Sequence, residues 1–208
     1  MCFSATASFA AGAVLSAAGV VTIKKTKTKE EIPFAAIPLL FGIQQAVEGV
    51  VWLSFKFGAT YLNQIATYAF MFFAYLFWPT FVPFAIQSLE TDPHRKTILS
   101  MFQALGFAVS SYLLYFIVSQ PMTALIVNES ITYPTLEHYG VLVMGLYLFA
   151  TCGSCLFSSH RTINVFGVLV ALSFAAAYYF YMVSFVSVWC FFGAVLSVAV
   201  YWYFRNER

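Results

Sequence analysis

Residues 4–29 read SATASFAAGAVLSAAGVVTIKKTKTK: an uncharged apolar run closed by Lys24, Lys25, Lys27 and Lys29. A run of this length is enough to cross a hydrocarbon core, which takes about 20 residues of helix. The lysines that close it belong on the cytoplasmic side. The same alternation continues to the other end. Nine of the ten Lys/Arg residues fall in four places: the lysine cluster, Arg95 with Lys96, Arg161, and Arg205 with Arg208. Lys56 is the exception. The apolar segments between these places predict seven helices, at about 4–23, 33–55, 62–88, 97–118, 139–157, 162–181 and 185–204.

Composition agrees with that reading. The chain is 62% hydrophobic and 9% charged, against about 25% charged in ordinary soluble domains. The spans use most of the 208 residues. The expectation is an all-α, polytopic seven-transmembrane-helix bundle, a single domain over residues 1–208, with the N-terminus outside and the C-terminus cytoplasmic. The first apolar segment has no basic residues before it and lysines after it, so it reads as a retained helix rather than a cleaved signal. A net charge of +2 split by side gives no nucleic-acid surface. Four cysteines make no secreted disulfide framework.

The second segment carries the strongest chemical signal. Gln44, Gln45, Glu48 and Trp52 interrupt an apolar span, and their spacing places them on one helix face. Glu48 is the ionisable acid deepest inside any predicted span, about 22 Å along the helix from Pro33. A carboxyl group at that depth faces the bundle interior and is a functional candidate by default. Counting along the other helices brings Cys2, Ser4, Thr6 and Ser8, then Asn63, Gln64 and Thr67, His138, and Ser187, Trp189 and Cys190 to the same outer level. The expected site is an outward-facing polar pocket with Glu48 at its base and Gln44, Gln45, Trp52, Asn63, Gln64, His138 and Trp189 as ligand-binding residues. The alternative is an interhelical hydrogen-bond clamp that only holds the bundle together.

Other features read first as packing. Ser4, Ser8, Gly12 and Ser16 form a small-residue stripe suited to close helix approach. Cys152-Gly153-Ser154-Cys155 has redox spacing, but lies near the inner end of its helix among small residues. The third segment contains Pro79 and Pro83, which invite a kink. The long loop at 119–138 is expected to rest on lipid headgroups, with a lid over the outer pocket as the alternative. Removal of Met1 would leave Cys2 with a free amine and thiol; an inert start is the plainer expectation. His94 and His160 are predicted inside and His138 outside, so no metal site follows and no cofactor is expected. No three-plus-three repeat is visible.

The run Met1-Cys2-Phe3-Ser4-Ala5-Thr6-Ala7-Ser8-Phe9, followed by Pro38-Leu39-Leu40-Phe41, Gln44-Gln45 and Glu48-Gly49 with Trp52, resembles an uncharacterised family of small bacterial integral membrane proteins. The resemblance covers the first two helices, about a quarter of the chain. It implies a bacterial inner-membrane setting and no mechanism.

Three functional readings compete. The first is binding or transport of a small or amphiphilic molecule through the Glu48 pocket. The second is an intramembrane lipid or acyl hydrolase or transferase, with Glu48 as general base and Cys2, Ser4 or Ser8 as nucleophile. The third is an accessory subunit of a membrane complex, docking through Phe70, Phe73, Phe77 and Phe81. Membrane lipids are the expected surroundings, a small molecule or lipid the expected ligand, and protein partners are open.

Overall fold

The computed structural model describes residues 4–119, 121–127, 129–133 and 140–206. Seven helical rods and one hairpin follow each other: α1 (Ala5–Lys24), α2 (Lys29–Lys56), α3 (Thr60–Leu89), α4 (Pro93–Ser119), β1 (Leu125–Val127), β2 (Ser130–Thr132), α5 (Val141–Leu156), α6 (Arg161–Phe180) and α7 (Met182–Arg205). Six of the rods are long and apolar enough to cross a membrane. The rod α5 is shorter, at 16 residues or about 24 Å of helix rise, below the roughly 30 Å of a hydrocarbon core. The expected span 139–157 is therefore only partly realised among the described residues.

Local chemistry starts each rod. Ser4 has extended backbone, and its Oγ accepts from Ala7 N at 3.2 Å, capping α1. Glu31 reaches back to accept from Lys27 N at 2.7 Å before α2 turns. Gly58 ends α2 at φ 60°, the left-handed conformation a helix stop favours. Asp92 Oδ1 accepts from His94 N at 2.7 Å and Arg95 N at 3.2 Å, with Pro93 as the first residue of α4.

Small residues decide how closely the rods approach. A Cβ on Gly12 would lie 2.9 Å from Gly42 O, and one on Gly19 2.3 Å from Leu39 N. The stripe read as a packing face in the first helix is thus its seam with α2, running antiparallel. A Cβ on Gly106 of α4 would lie 1.8 Å from Pro79 O of α3. Just before Pro79, α3 widens into a π turn at Phe72–Phe77. Pro79 has no N–H to give to the turn before it, and side chains donate there instead: Tyr147 OH to Ala74 O and Ser110 Oγ to Leu76 O.

The described basic residues other than Lys56 gather at one end. Lys25 Nζ sits over the Tyr201 ring at 5.3 Å, Tyr203 OH meets the His160 ring at 3.4 Å, and Arg95 Nη1 donates to Phe157 O at 2.9 Å. These contacts tie α1, α4, α5, α6 and α7 together at the end that also holds Lys96 and Arg161. Glu90 lies here too, buried, although nothing in the sequence around it marks it out. It accepts from Ser159 N and Ser159 Oγ, both at 2.8 Å, from Thr91 N at 3.0 Å and from Asp92 N at 3.2 Å. Burial pushes its carboxyl pKa up, but these donors outweigh burial and hold it below the ordinary value.

At the opposite end lies the long loop, of which 121–127 and 129–133 are described. One side of it is exposed, at Leu125 and Ile126, and the other turns inward. Ala124, Ile131 and Tyr133 are buried, Tyr133 stacks on Phe70 at 4.5 Å, Ala124 N donates to Thr67 Oγ1 at 3.1 Å, and Met122 N donates to Tyr68 OH at 3.2 Å. The hairpin packs over α3 and the start of α7, because its alternating apolar residues find an aromatic floor and backbone partners there. Phe70 is accordingly interior and not part of an exposed aromatic face. The outside of the bundle is apolar instead: Val14 is 68% exposed and Leu172 62%, while Gln44, Gln45 and Glu48 are fully buried. That inversion of the soluble pattern fits a lipid solvent.

Candidate functional site

The centre of the bundle is built from α2 outward. Gln44, Gln45 and Glu48 lie on one side of α2 and all three have no exposed surface. They are aimed inward because the opposite side of α2, at Gly42, Ala46 and Gly49, is taken by α1. Ser187 of α7, itself fully buried, donates its hydroxyl to Glu48 Oε1. Trp78 of α3 donates its indole N–H to Gln44 Oε1 at 2.7 Å. Cys190 lies beside Gln44 and Glu48 on the next turn of α7.

These bonds leave much of the cluster unpartnered among the described residues. Gln44 Nε2, both amide atoms of Gln45, Glu48 Oε2 and Trp52 Nε1 are buried and complete no hydrogen bond to another described residue. The Gln45 amide lies near the Glu48 carboxyl, as a hydrogen-bond donor would, but does not complete a bond with hydrogen-bond geometry.

Next to the cluster, on the side of the basic end, is an apolar chamber of about 50 Å3. Phe41 and Trp78, stacked at 3.9 Å, form one wall. Tyr147, Cys152, Trp189 and Cys190 form much of the rest. Tyr147 is fixed by donating to Ala74 O at 2.7 Å, and Trp189 by donating to Val170 O at 3.3 Å. Cys152, Cys155 and Cys190 are free thiols. A Cβ on Gly167 would come 2.4 Å from Cys155 Cβ, so the Cys152–Cys155 stretch is a helix-packing seam between α5 and α6.

The other expected site residues separate from this centre. Asn63 belongs to a chain at the hairpin end: its Nδ2 donates to Ser54 Oγ at 3.0 Å, and Thr67 Oγ1 donates to Asn63 Oδ1 at 3.4 Å and accepts from Ala124. It anchors the hairpin. Gln64 is half-buried on a different side of α3 from Asn63. Ser4 is the cap of α1, and Ser8 is buried at the same end of that rod. Cys2 and His138 lie outside the described residues. The sequence reading missed Trp78 and did not single out Ser187 as the partner of Glu48. Counting would have found Trp78: it stands eleven residues (89 − 78) before the end of α3. Gln44 likewise stands eleven residues (44 − 33) after Pro33, so the two share a depth.

No curated protein and no solved structure matches the chain. A family of unknown function, DUF6629, matches residues 1–208, extending the resemblance of the first two helices to the full length, and the chain belongs to that family.

Proposed function

We propose that this protein resides in a bacterial inner membrane as a seven-rod bundle, with its basic end cytoplasmic and its N-terminus outside. There it binds or carries a small amphiphilic molecule at Glu48. The orientation rests on the concentration of basic residues at one end. The binding reading rests on one observation above all: five polar atoms of Gln44, Gln45, Glu48 and Trp52 are buried together without a partner among the described residues. Native proteins leave few such groups, and a cluster of them marks a place where a partner from outside the fold is needed. The ligand's polar end would meet Gln45 and Glu48 Oε2, and its apolar part the chamber beside Trp78 and Trp189. A clamp that only held the bundle together would close its own hydrogen bonds, as the Asn63 chain does.

The test is native mass spectrometry of the protein released gently from its own membranes. A stoichiometric small molecule that is retained by the wild-type chain and lost in Glu48→Gln supports the reading. A bare chain, or one carrying only another protein, overturns it.

A further inference from the structure

A second cleft lies away from Glu48, on the outer surface of the bundle. It follows the seam between α3 and α4 and has a volume of about 480 Å3. Phe72, Phe77, Phe81 and Phe84 line it from α3, and Phe107 and Leu114 from α4. Phe72 is 49% and Phe107 65% exposed, so the cleft is open along its length. Its floor is polar: Leu76 O, loosened in the π turn, accepts from Ser110 Oγ at 2.8 Å, and the Thr80 and Ser110 hydroxyls meet at 3.1 Å.

Three features say what fits. The first is length. Gln103 and Leu114, at its two ends on α4, are eleven residues apart (114 − 103), or about 16 Å by helix rise. That is one leaflet of a hydrocarbon core about 30 Å thick; a crossing helix from a partner would need a seam twice as long. The second is Gln103 itself. It is half-buried in the cleft and bonds to no other described residue, and an amide without a partner in hydrocarbon is costly. The third is charge. Below Gln103 the same stripe of α4 continues through Ser100 to exposed Lys96 at the basic end. Gln87 Nε2 bridges α3 to this stripe, donating to Ser100 Oγ at 2.5 Å and Lys96 O at 3.3 Å.

We propose that the α3–α4 cleft binds one anionic glycerophospholipid from the leaflet at the basic end. One acyl chain lies along the phenylalanines up to Leu114. The Gln103 amide donates to an ester carbonyl, and the Lys96 ammonium meets the phosphate. The inference rests on the membrane placement and is independent of any ligand at Glu48.

The experiment uses the full chain in vesicles of phosphatidylethanolamine and phosphatidylglycerol. The probe is a phosphatidylglycerol with a diazirine midway along one acyl chain. After irradiation, labelled residues are mapped by mass spectrometry. Expected is concentration of label on Phe77, Phe81 and Phe107 over Val14 and Leu172, whose exposure on other rods is similar to that of Phe107. Even labelling of all exposed helices overturns the site, as does crosslinking of the cleft to a protein in place of lipid. A phosphatidylethanolamine probe with the same chain should label the cleft about fivefold less, the effect of one basic residue at an anionic surface. Equal labelling by the two probes overturns the anionic assignment. Lys96→Gln should abolish the difference between probes, and Gln103→Leu, which suits the membrane, should lower labelling by both. Unchanged labelling in both variants overturns the residue assignments.

Discussion

Two glutamates are buried among the described residues, and they are treated in opposite ways. Glu90, at the basic end, is 2% exposed and receives four hydrogen bonds from Ser159, Thr91 and Asp92. Glu48, in the bundle centre, is fully buried and receives one from Ser187, while Oε2 has none. A carboxylate with its acceptors filled joins two loops and stabilises the fold. One left half-filled among unpartnered amides costs stability, and is retained where a function needs it. In the function proposed above, the difference separates a structural acid, Glu90, from the ligand-binding one, Glu48.

Removing each acid should therefore move stability in opposite directions. Glu90→Ala strands the Ser159, Thr91 and Asp92 donors and should cost about 3 kcal/mol, read as a lower unfolding temperature in a fixed detergent. An unchanged temperature would erase the contrast. Glu48→Leu removes a poorly partnered buried carboxyl and should raise stability by about 2 kcal/mol while abolishing ligand retention. A large loss of stability there would make Glu48 a second structural acid.

Acid should loosen the Glu90 junction less completely than deletion, because a neutral carboxyl keeps acceptor capacity. Its folded pKa lies below the ordinary 4.5. Its contribution is therefore complete above about pH 4.5 and is lost as pH falls through the folded value. Proteolysis of the 157–160 loop at graded pH measures this, and Glu90→Gln should flatten the profile. The smallest effect belongs to Ser187→Ala, which removes one hydrogen bond to Glu48 and should change stability by about 1 kcal/mol or less. A much larger change would mean that Ser187 and Glu48 form a closed clamp.

The same contrast explains what was readable beforehand. Glu48 was found because a charged residue inside an apolar run stands out against hydropathy. Glu90 was not, because a loop acid beside Asp92 looks like any solvated charge, and only the fold brings Ser159, sixty-nine residues later, onto it. Asn63 was placed at the Glu48 level by depth alone, but depth does not say which side of a helix meets which neighbour. Its partners are Ser54 and Thr67, and its role is to hold the hairpin.

Alternation of apolar runs with basic clusters by itself determined the membrane class, the order of the rods and the gathering of positive charge at one end, because the cost of placing charge in hydrocarbon acts on each segment separately. The inward aim of Gln44, Gln45 and Glu48 was likewise contained in their spacing on one helix. Tertiary structure alone decided that Ser187 and Trp78 meet that face, that the 121–133 segment folds inward over α3, and that α5 is short of a full span. It also opened the cleft between α3 and α4. Those outcomes depend on where glycines such as Gly12, Gly42 and Gly106 let backbones touch, a pairing between distant segments that no single stretch of sequence encodes.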